Sequence, residues 1–366
     1  MKRYGHGLVL GRFRPPHAGH HHLVRTARER CERLTVLVRA SGAAAESPSL
    51  ADRVAWMREI HPDALVLGTV DDAPGDLHAP GPTDPDAWEA HTAAVRAAVP
   101  EPVDAVFTST PYGEELARRL GAACVRVEPD RTRHPVSSAA VRADPVAFWD
   151  DLEAPVRAAL TRRVVILGAG STGATTMARA LADHYRRRGG VWARTRYVPD
   201  YGHTYGELKL AELRAERPGA GRSDVAFHSA DFPVIALRQA ELEEEAARDG
   251  SPVLFCDADA FATTIRHERY MGTSSPGTGE IAARGRQHLW LLTDHRGVPL
   301  PDDGEPDEEH LRPWMTARLL TQLAHTGRRT VVLTGPHEER LATAVAAVDA
   351  LLAEARHFTD PLPEHR

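Results

Sequence analysis

The sequence predicts an α/β protein of two successive domains, each built on a parallel sheet. Residues 8–10 and 164–167 are short apolar runs, and each precedes a glycine-containing turn and a helical stretch. A strand, a helix and a second strand within about 30 residues form a βαβ unit, which implies a parallel sheet. Because the pattern restarts midway, we place the boundary near residue 158, giving domains 1–158 and 159–366.

The remaining apolar runs supply the other strands, and amphipathic stretches supply helices. In the first domain the predicted strands are 8–10, 34–38, 65–67 and 103–107, and the predicted helices are 20–33, 87–99 and 113–120. In the second domain they are strands 164–167, 253–256, 289–292 and 330–333, with helices 175–188 and 341–352. Residues 71–86 and 302–309, rich in acidic residues, proline and glycine, are predicted loops.

Composition excludes several classes of protein. The 366 residues are 42% hydrophobic with a net charge of −6, which argues against disorder and against a broad nucleic-acid-binding surface. Three widely spaced cysteines form no CxxC pair, so we expect a reducing, cytoplasmic compartment. Neither a signal-peptide core nor a membrane span is evident. We therefore expect no nucleic-acid partner and no membrane; a homo-oligomer is compatible with the sequence.

The turn after the first strand combines glycines, prolines and two histidines. Its specified positions are Gly11, Phe13, Pro15, His17, Gly19 and His20. Glycines allow close backbone approach, and a helix N-terminus offers N–H groups and a positive dipole end to a phosphate. The imidazoles add ring N–H donors. A surface turn is the plain alternative, and a zinc site on His20, His21 and His22 lacks the carboxylate that such sites usually include.

This turn resembles the G-x-F-x-P-x-H-x-G-H signature of the nucleotidyltransferases that carry an HxGH motif. The family's second motif is similar to residues 136–142, where Ser137, Ser138 and Arg142 match and Ala139 replaces a threonine. The resemblance implies a Rossmann-like domain in which a phosphate oxygen attacks the α-phosphorus of ATP. Catalysis then rests on positioning and charge neutralisation by His17, His20, Arg142 and Mg²⁺.

The nicotinamide-nucleotide adenylyltransferases of this family have arginines at two further positions. They correspond to Arg12 and Arg53, which the resemblance makes candidates for ATP binding. Arg53 is equally compatible with an ordinary surface charge.

The second glycine turn fits two patterns. Its residues are Gly168, Gly170, Ser171, Thr172, Gly173, Ala174, Thr175 and Thr176. As G-x-G-x-x-G it would be a dinucleotide fingerprint, but the acid expected about 20 residues later is absent. As a P-loop it lacks only the lysine, replaced by Ala174. A later apolar strand ending in Asp257 and Asp259 favours the P-loop, with Mg²⁺ held by Thr175 and Asp257.

The second half resembles the ribosylnicotinamide kinase domain of the NadR-type bifunctional family. The similar segments are 200–203, 229–233 with Asp231, 257–259, 263–264 and 302–304, and the linker at 142–150 is similar as well. Three departures stand out: Ala174 for the lysine, Gly170 for an acid and Pro306 for a lid arginine. Arg179 and Lys209 are candidate substitutes, so both an active kinase and a degenerate domain stay open.

The resemblance implies adenylyl transfer from ATP to nicotinamide mononucleotide, giving NAD and pyrophosphate. The expected small-molecule partners are ATP, nicotinamide mononucleotide and, for the second domain, nicotinamide riboside. NadR also carries a DNA-binding helix-turn-helix, and the sequence begins directly in its first strand, so we expect no repressor role. Two alternatives remain: a nucleotidyltransferase for another phosphate acceptor, or a second domain that senses nucleotides without catalysis.

Overall fold

The computed structural model describes residues 3–40, 47–70, 85–128, 130, 134–299 and 306–354. The chain divides into two compact units, the first ending at Val156 and the second beginning at Arg157. In the part of the chain described, no helix is long and apolar enough to cross a membrane.

The first unit alternates strands and helices. The strands are β1 Tyr4–Gly11, β2 Cys31–Ala40, β3 Leu65–Val70, β4 Ala105–Thr108 and β5 Ala123–Arg126. The helices are α1 Ala18–Arg30, α2 Leu50–Ile60, α3 Pro85–Ala98, α4 Tyr112–Leu120, α5 Ser138–Ala143 and α6 Ala154–Leu160, which runs across the boundary. A short 3₁₀ turn spans Trp149–Asp151.

The described strands of the first unit form one parallel sheet in the order β3-β2-β1-β4-β5. Helices cover both faces of such a sheet, so its central strands are nearly continuous apolar runs. The middle of β1 and most of β2 are buried accordingly, whereas the edge strand β3 alternates and leaves Leu65 and Val70 exposed. This order places the carboxyl end of β1 in the middle of the sheet.

The second unit repeats the α/β alternation. Its strands are β6 Arg162–Gly168, β7 Arg196–Val198, β8 Val253–Asp257, β9 Gln287–Thr293 and β10 Thr330–Leu333. Its further helices are α7 Ala174–Arg186, α8 Tyr201–Glu216, α9 Asp231–Asp249, α10 Ala260–Met271, α11 Pro276–Ala283, α12 Pro306–His325 and α13 His337–Glu354.

The strand order of the second sheet separates the two interpretations of the glycine turn. In the described residues the order is β10-β9-β6-β8-β7, and all pairings are parallel. The strand that follows the turn in sequence, β7, therefore does not lie beside β6. The acid-bearing strand β8 lies there instead, which brings Asp257 to the same sheet edge as the glycine turn. This is the arrangement that the P-loop interpretation requires.

The predicted α/β fold class is confirmed in both units. Several predicted boundaries are wrong. Helix α3, for example, begins at Pro85, inside the loop predicted at 71–86. The first helix ends at Arg30 rather than at residue 33, because Cys31 is extended and its thiol fills the space above Gly7. The loop predicted at 302–309 gives way to α12 from Pro306, since proline and acids favour a helix's first turn. Residues 302–305 lie outside the described residues, as do 71–84 of the other predicted loop.

Candidate active sites in the two domains

Two histidine rings lie together at the carboxyl end of β1. His17 is the N-cap residue of α1, and its ring lies 3.8 Å from that of His20, centroid to centroid. The ring of Phe13 meets His20 edge-on at 4.9 Å. A Cβ at Gly19 would lie 3.3 Å from the His17 ring, so glycine there lets the imidazole rest against the backbone. His17 is buried and His20 half-buried, which gives both rings restricted positions.

Phe13 shapes the turn before the histidines. Its side chain is buried, and its φ of 48° lies in the left-handed region that non-glycine residues rarely adopt. A Cβ at Gly11 would lie 3.0 Å from the Phe13 ring, closer than ordinary contact. Gly11 therefore makes room for the ring, and the ring in turn supports His20.

The second motif, residues 136–142, contacts the histidine turn through two hydrogen bonds. The Ser138 hydroxyl donates to the Pro15 carbonyl at 3.1 Å, and Arg142 Nη1 donates to the Arg14 carbonyl at 2.6 Å. Ser137 caps α5 by accepting from the Ala140 N–H at 3.1 Å. The structure thus brings together residues more than 100 positions apart in the chain.

Positive charge is concentrated beside the histidines. Burial, followed by the neighbouring guanidinium groups of Arg14 and Arg12, lowers the pKa of Arg142. An arginine keeps its charge even so, because its unperturbed pKa is so high. Like charges held together at a helix start favour an anionic ligand, and a polyphosphate is of that kind.

Arg53 has a different place from the one predicted. Its side chain is completely buried. It donates to three backbone carbonyls, those of Arg12 at 2.6 Å, Arg39 at 3.0 Å and Ser49 at 3.2 Å. The expectation of direct ATP contact is therefore not supported. Arg53 instead holds the backbone of Arg12, whose own side chain is exposed.

A cavity of about 230 Å³ opens beside the two histidines. Its lining includes the predicted residues His17, Gly19, His20, Ser137 and Ser138. It also includes residues that the sequence analysis did not assign to the phosphate site, namely His22, Leu23, Ser109, Val127, Glu128, His134 and Val136. Most of these follow β4 or the edge strand β5, and only their position at the carboxyl ends of the parallel strands could have pointed to them.

In the second unit, backbone conformation defines the glycine turn. Gly173 has a φ of 87° and Ser171 a φ of 57°, so two residues of the turn are left-handed before α7 begins at Ala174. A Cβ at Gly168 would lie 2.2 Å from the hydroxyls of both Thr172 and Thr293. These hydroxyls are 2.8 Å apart, and Thr172 also donates to the Ala169 carbonyl at 2.8 Å. The turn is therefore held by hydroxyl contacts that need no lysine.

A hydroxyl and a carboxylate face each other next to this turn. Thr175 Oγ1 donates to Asp257 Oδ2 at 2.5 Å, and the Tyr197 hydroxyl donates to the same oxygen at 3.2 Å. Burial raises the pKa of Asp257. Mg²⁺ prefers oxygen ligands, so the donor set of Thr175 and Asp257 fits the ion predicted there.

The other predicted acids are engaged elsewhere. Asp259 is buried, caps α10 by accepting from the Ala262 N–H at 2.8 Å and accepts from Trp290 Nε1 at 2.9 Å. Its role beside Asp257 is therefore corrected to that of a helix cap. Asp231, the first residue of α9, accepts from Lys209 Nζ at 2.7 Å and from the Tyr205 hydroxyl at 2.9 Å.

Of the two candidate substitute cations, Lys209 is thus paired with Asp231. Arg179 instead lies against the Tyr197 ring, 5.5 Å from its centroid. Sequence reasoning missed Arg266, which donates to Asp200 at 2.7 Å and influences Asp257 electrostatically. The predicted lid segment 302–304 lies outside the described residues, as does the side chain of Pro306.

Comparison with known families follows the same division of the chain. Residues 8–144 match the cytidylyltransferase-like family. Residues 163–340 match the family described as AAA domain. One nucleotidyltransferase-like and one P-loop-like domain therefore succeed each other, as the two glycine turns predicted.

Two known proteins are similar to most of the chain, and a third is similar to a shorter part of it. The trifunctional NAD biosynthesis/regulator protein NadR of Salmonella typhimurium is 24% identical over 316 residues, covering 81% of this chain and 70% of NadR. NadR of Escherichia coli matches with the same identity and coverage. A nicotinamide-nucleotide adenylyltransferase of Aeropyrum pernix is 40% identical over 72 residues, or 20% of this chain and 38% of that protein.

Solved structures of NadR proteins share the fold. A NadR protein in complex with NR superposes with a TM-score of 0.71 at 17% identity, covering 95% of this chain and 97% of that one. A NadR protein in complex with NAD and AMP-PNP gives 0.67 at 18% identity, covering 96% of each chain. The resemblance drawn from the two motifs is confirmed over nearly the whole chain.

Proposed function

We propose that this NadR-type chain is a nucleotidyltransferase that transfers the adenylyl group of ATP to nicotinamide mononucleotide. The observation that carries the proposal is the pairing of His17 and His20 at 3.8 Å within reach of the Arg142 helix. The proposal further draws on the relatives, one of which bears the name nicotinamide-nucleotide adenylyltransferase.

The chemistry needs no nucleophile from the protein. A 5′-phosphate oxygen of the acceptor forms a bond to the α-phosphorus of ATP, and the bond from that phosphorus to the bridging oxygen breaks. The electron pair leaves with pyrophosphate. His17, His20 and Arg142 lower the barrier by donating hydrogen bonds to oxygens on which negative charge develops. Mg²⁺, when bound with ATP, neutralises part of the triphosphate charge.

Residues around the turn hold these donors in place. Ser138 and Arg142 tie α5 to the carbonyls of Pro15 and Arg14, so the second motif moves with the first. Arg53 fixes the Arg12 backbone from inside the unit. Such fixed donors stabilise a transition state without reorganising at the moment of reaction.

For the second unit we propose nucleotide binding at residues 168–176 with slow phosphorylation of nicotinamide riboside. The backbone N–H groups at the start of α7 offer an anion site. Thr175 and Asp257 offer oxygen ligands for Mg²⁺. Without a lysine at position 174, the charge that moves during phosphoryl transfer lacks its usual partner.

The test is a panel assay on the purified, full-length protein. Each nucleoside triphosphate is combined with nicotinamide mononucleotide, nicotinic acid mononucleotide, phosphopantetheine and glycerol phosphate. We expect ATP with nicotinamide mononucleotide to give NAD and pyrophosphate in equal amounts. A clear preference for another acceptor would replace the proposed substrate but keep the transferase chemistry.

The matched blank is a His17→Ala/His20→Ala double variant purified in the same way. With a circular-dichroism spectrum that matches the wild type, its loss of NAD formation excludes a contaminating host enzyme. Tight ATP binding without turnover in the wild type, for any acceptor of the panel, would instead indicate a nucleotide sensor.

A further inference from the structure

The three consecutive histidines of α1 point in three directions. Successive helical residues are rotated by about 100° around the axis, so neighbours face different surroundings. His20 joins the HxGH pair, whereas His21 is buried and its Nδ1 lies 3.0 Å from His61 Nε2. His22 faces the segment after β5. The histidine run is therefore not a site in itself.

His22 meets two residues from a distant part of the chain. Its Nε2 lies 3.6 Å from Glu128 Oε2, and His134 Nδ1 lies 3.2 Å from the same oxygen. The two imidazole rings stack at 4.9 Å between centroids. One ligand atom from each of the three residues lies within 4.8 Å of the others. None of the three is among the donors assigned to adenylyl transfer above.

The spacing matches a metal ion bound by all three residues. Two donors at 2.0–2.1 Å from a tetrahedral Zn²⁺ ion lie roughly 3.3 Å from each other. Two histidines and one glutamate form a known zinc ligand set that leaves a position for water or a ligand oxygen. Imidazole donors also favour zinc, cobalt and similar ions over Mg²⁺.

The carboxylate of this cluster is already oriented. The His134 backbone N–H donates to Glu128 Oε1 at 3.1 Å, which leaves Oε2 toward the imidazoles. Such contacts behind a ligand typically fix its direction toward a metal. Glu128 also has a φ of 45°, in the left-handed region that few non-glycine residues adopt.

We propose that His22, Glu128 and His134 bind one first-row divalent transition metal ion, such as Zn²⁺, at the wall of the cavity that holds the HxGH histidines. The three side chains are half-buried, so an ion can enter from solvent. The proposed ion is distinct from the Mg²⁺ that accompanies ATP.

The probe is Co²⁺, whose visible absorption reports its coordination. Untagged full-length protein, freed of metal with a chelator, is titrated with Co²⁺ and then with Zn²⁺. We expect one tight Co²⁺ site per chain with a tetrahedral or five-coordinate spectrum, displaced by Zn²⁺ but not by millimolar Mg²⁺. Absence of a saturable site, or displacement by Mg²⁺, would overturn the proposal.

Variants locate the ion. His134→Gln and Glu128→Gln should each weaken Co²⁺ binding at least about tenfold. His22→Gln is the third test. Because His22 lies on α1 and not in the segment after β5, this variant still tests the site if Glu128→Gln or His134→Gln fails to fold, as judged by circular dichroism. His203→Gln is the matched control, since His203 is exposed and lies 4.0 Å from Glu207 without a third donor. Equal binding by His22→Gln and His203→Gln would exclude this site, whatever the adenylyl-transfer assay shows.

Discussion

The turns at residues 11–20 and 168–176 both follow a central strand and precede a helix, yet they keep different parts of a phosphate site. The first has imidazoles at 3.8 Å and an arginine tied to it. The second keeps a tight glycine turn, with φ values of 57° at Ser171 and 87° at Gly173. It has Ala174 at the position where a P-loop has lysine. The shape of a phosphate turn and its charge are therefore separate properties.

The difference has a physical cause. The second turn is held by hydroxyls, through the contacts of Thr172 with Thr293 and with the Ala169 carbonyl. These contacts persist without the lysine, so its loss leaves the fold intact. In the first turn the histidines pack on Phe13 and Gly19, so the same groups that carry the chemistry also contribute to the structure.

The largest effect is expected in the first turn. His20→Ala should lower kcat for adenylyl transfer about 100- to 1,000-fold, the cost of removing one fixed donor to developing charge. A continuous pyrophosphate-release assay measures it. His203→Ala, on an exposed helix position, is the control and should match the wild type. Near wild-type turnover of His20→Ala would remove His20 from the mechanism.

The two units should respond oppositely to pH. Burial, then the charge of Arg25, lowers the pKa of His61 from 6.5 to about 4, and burial likewise lowers that of its partner His21. The folded first unit thus favours neutral rings. The contribution of the neutral His61 ring to the free energy of unfolding is fully present above pH 6.5. Roughly 3 kcal/mol of it is lost as the pH falls toward 4.

In the second unit, burial raises the pKa of Glu243 from 4.5 to about 8. The folded state binds this proton more tightly, so stability is lost as the pH rises from 4.5 to 8. Urea unfolding of wild type, His61→Gln and Glu243→Gln across this range checks both signs. The stability difference from wild type should shrink at low pH for His61→Gln and at high pH for Glu243→Gln. Parallel curves would contradict the buried, neutral state of either residue.

Arg142→Lys tests the geometry of the first charge cluster. Lysine keeps the charge but loses the fork that can reach the Arg14 carbonyl and a phosphate together. We expect kcat/KM for ATP to fall about 10- to 100-fold, equivalent to one charged hydrogen bond of about 1.5–3 kcal/mol. Arg126→Lys, whose arginine pairs with Glu114 at the surface, should change little. Equal kinetics for both variants would exclude a forked contact.

Eight of the ten described strands and both turns could be predicted because apolar runs and glycine patterns are local in sequence. The short edge strands β5 and β7 were missed, because neither forms a continuous apolar run. Contacts between residues that are far apart in the sequence could not be predicted. Arg53 matched a motif, but only the fold shows that its side chain is buried among carbonyls. Asp259 comes directly after the strand that ends at Asp257, yet it caps α10, because the chain turns at Ala258, whose φ is 78°. Glu128 and His134 carry no motif and meet His22 only through the sheet order.

Ala174→Lys asks whether charge alone separates the two turns. Adding the missing cation should strengthen ATP binding by about 1–3 kcal/mol, or about 5- to 150-fold. Calorimetry is done in the His20→Ala/Arg142→Ala background, so that the first site contributes little. Ala193→Lys adds the same charge at an exposed position of the second unit outside residues 168–176 and is the control. If both lysines strengthen binding equally, net charge explains the gain and position 174 has no special role.

The smallest effect concerns the shape of the second turn. At a φ of 87°, Gly173 adopts a conformation that costs residues with a Cβ about 1–2 kcal/mol, although a Cβ there would touch nothing within 4 Å. Gly173→Ala should therefore destabilise the second unit by about that amount through backbone strain alone. Gly279, within α11, also has open space around it but no positive φ, so Gly279→Ala should stabilise by about 0.5–1 kcal/mol. Urea unfolding of both variants measures the difference. If Gly173→Ala destabilises and Gly279→Ala stabilises, the turn keeps its left-handed conformation at position 173 even without the lysine. If both variants stabilise equally, the turn changes conformation once the glycine is replaced.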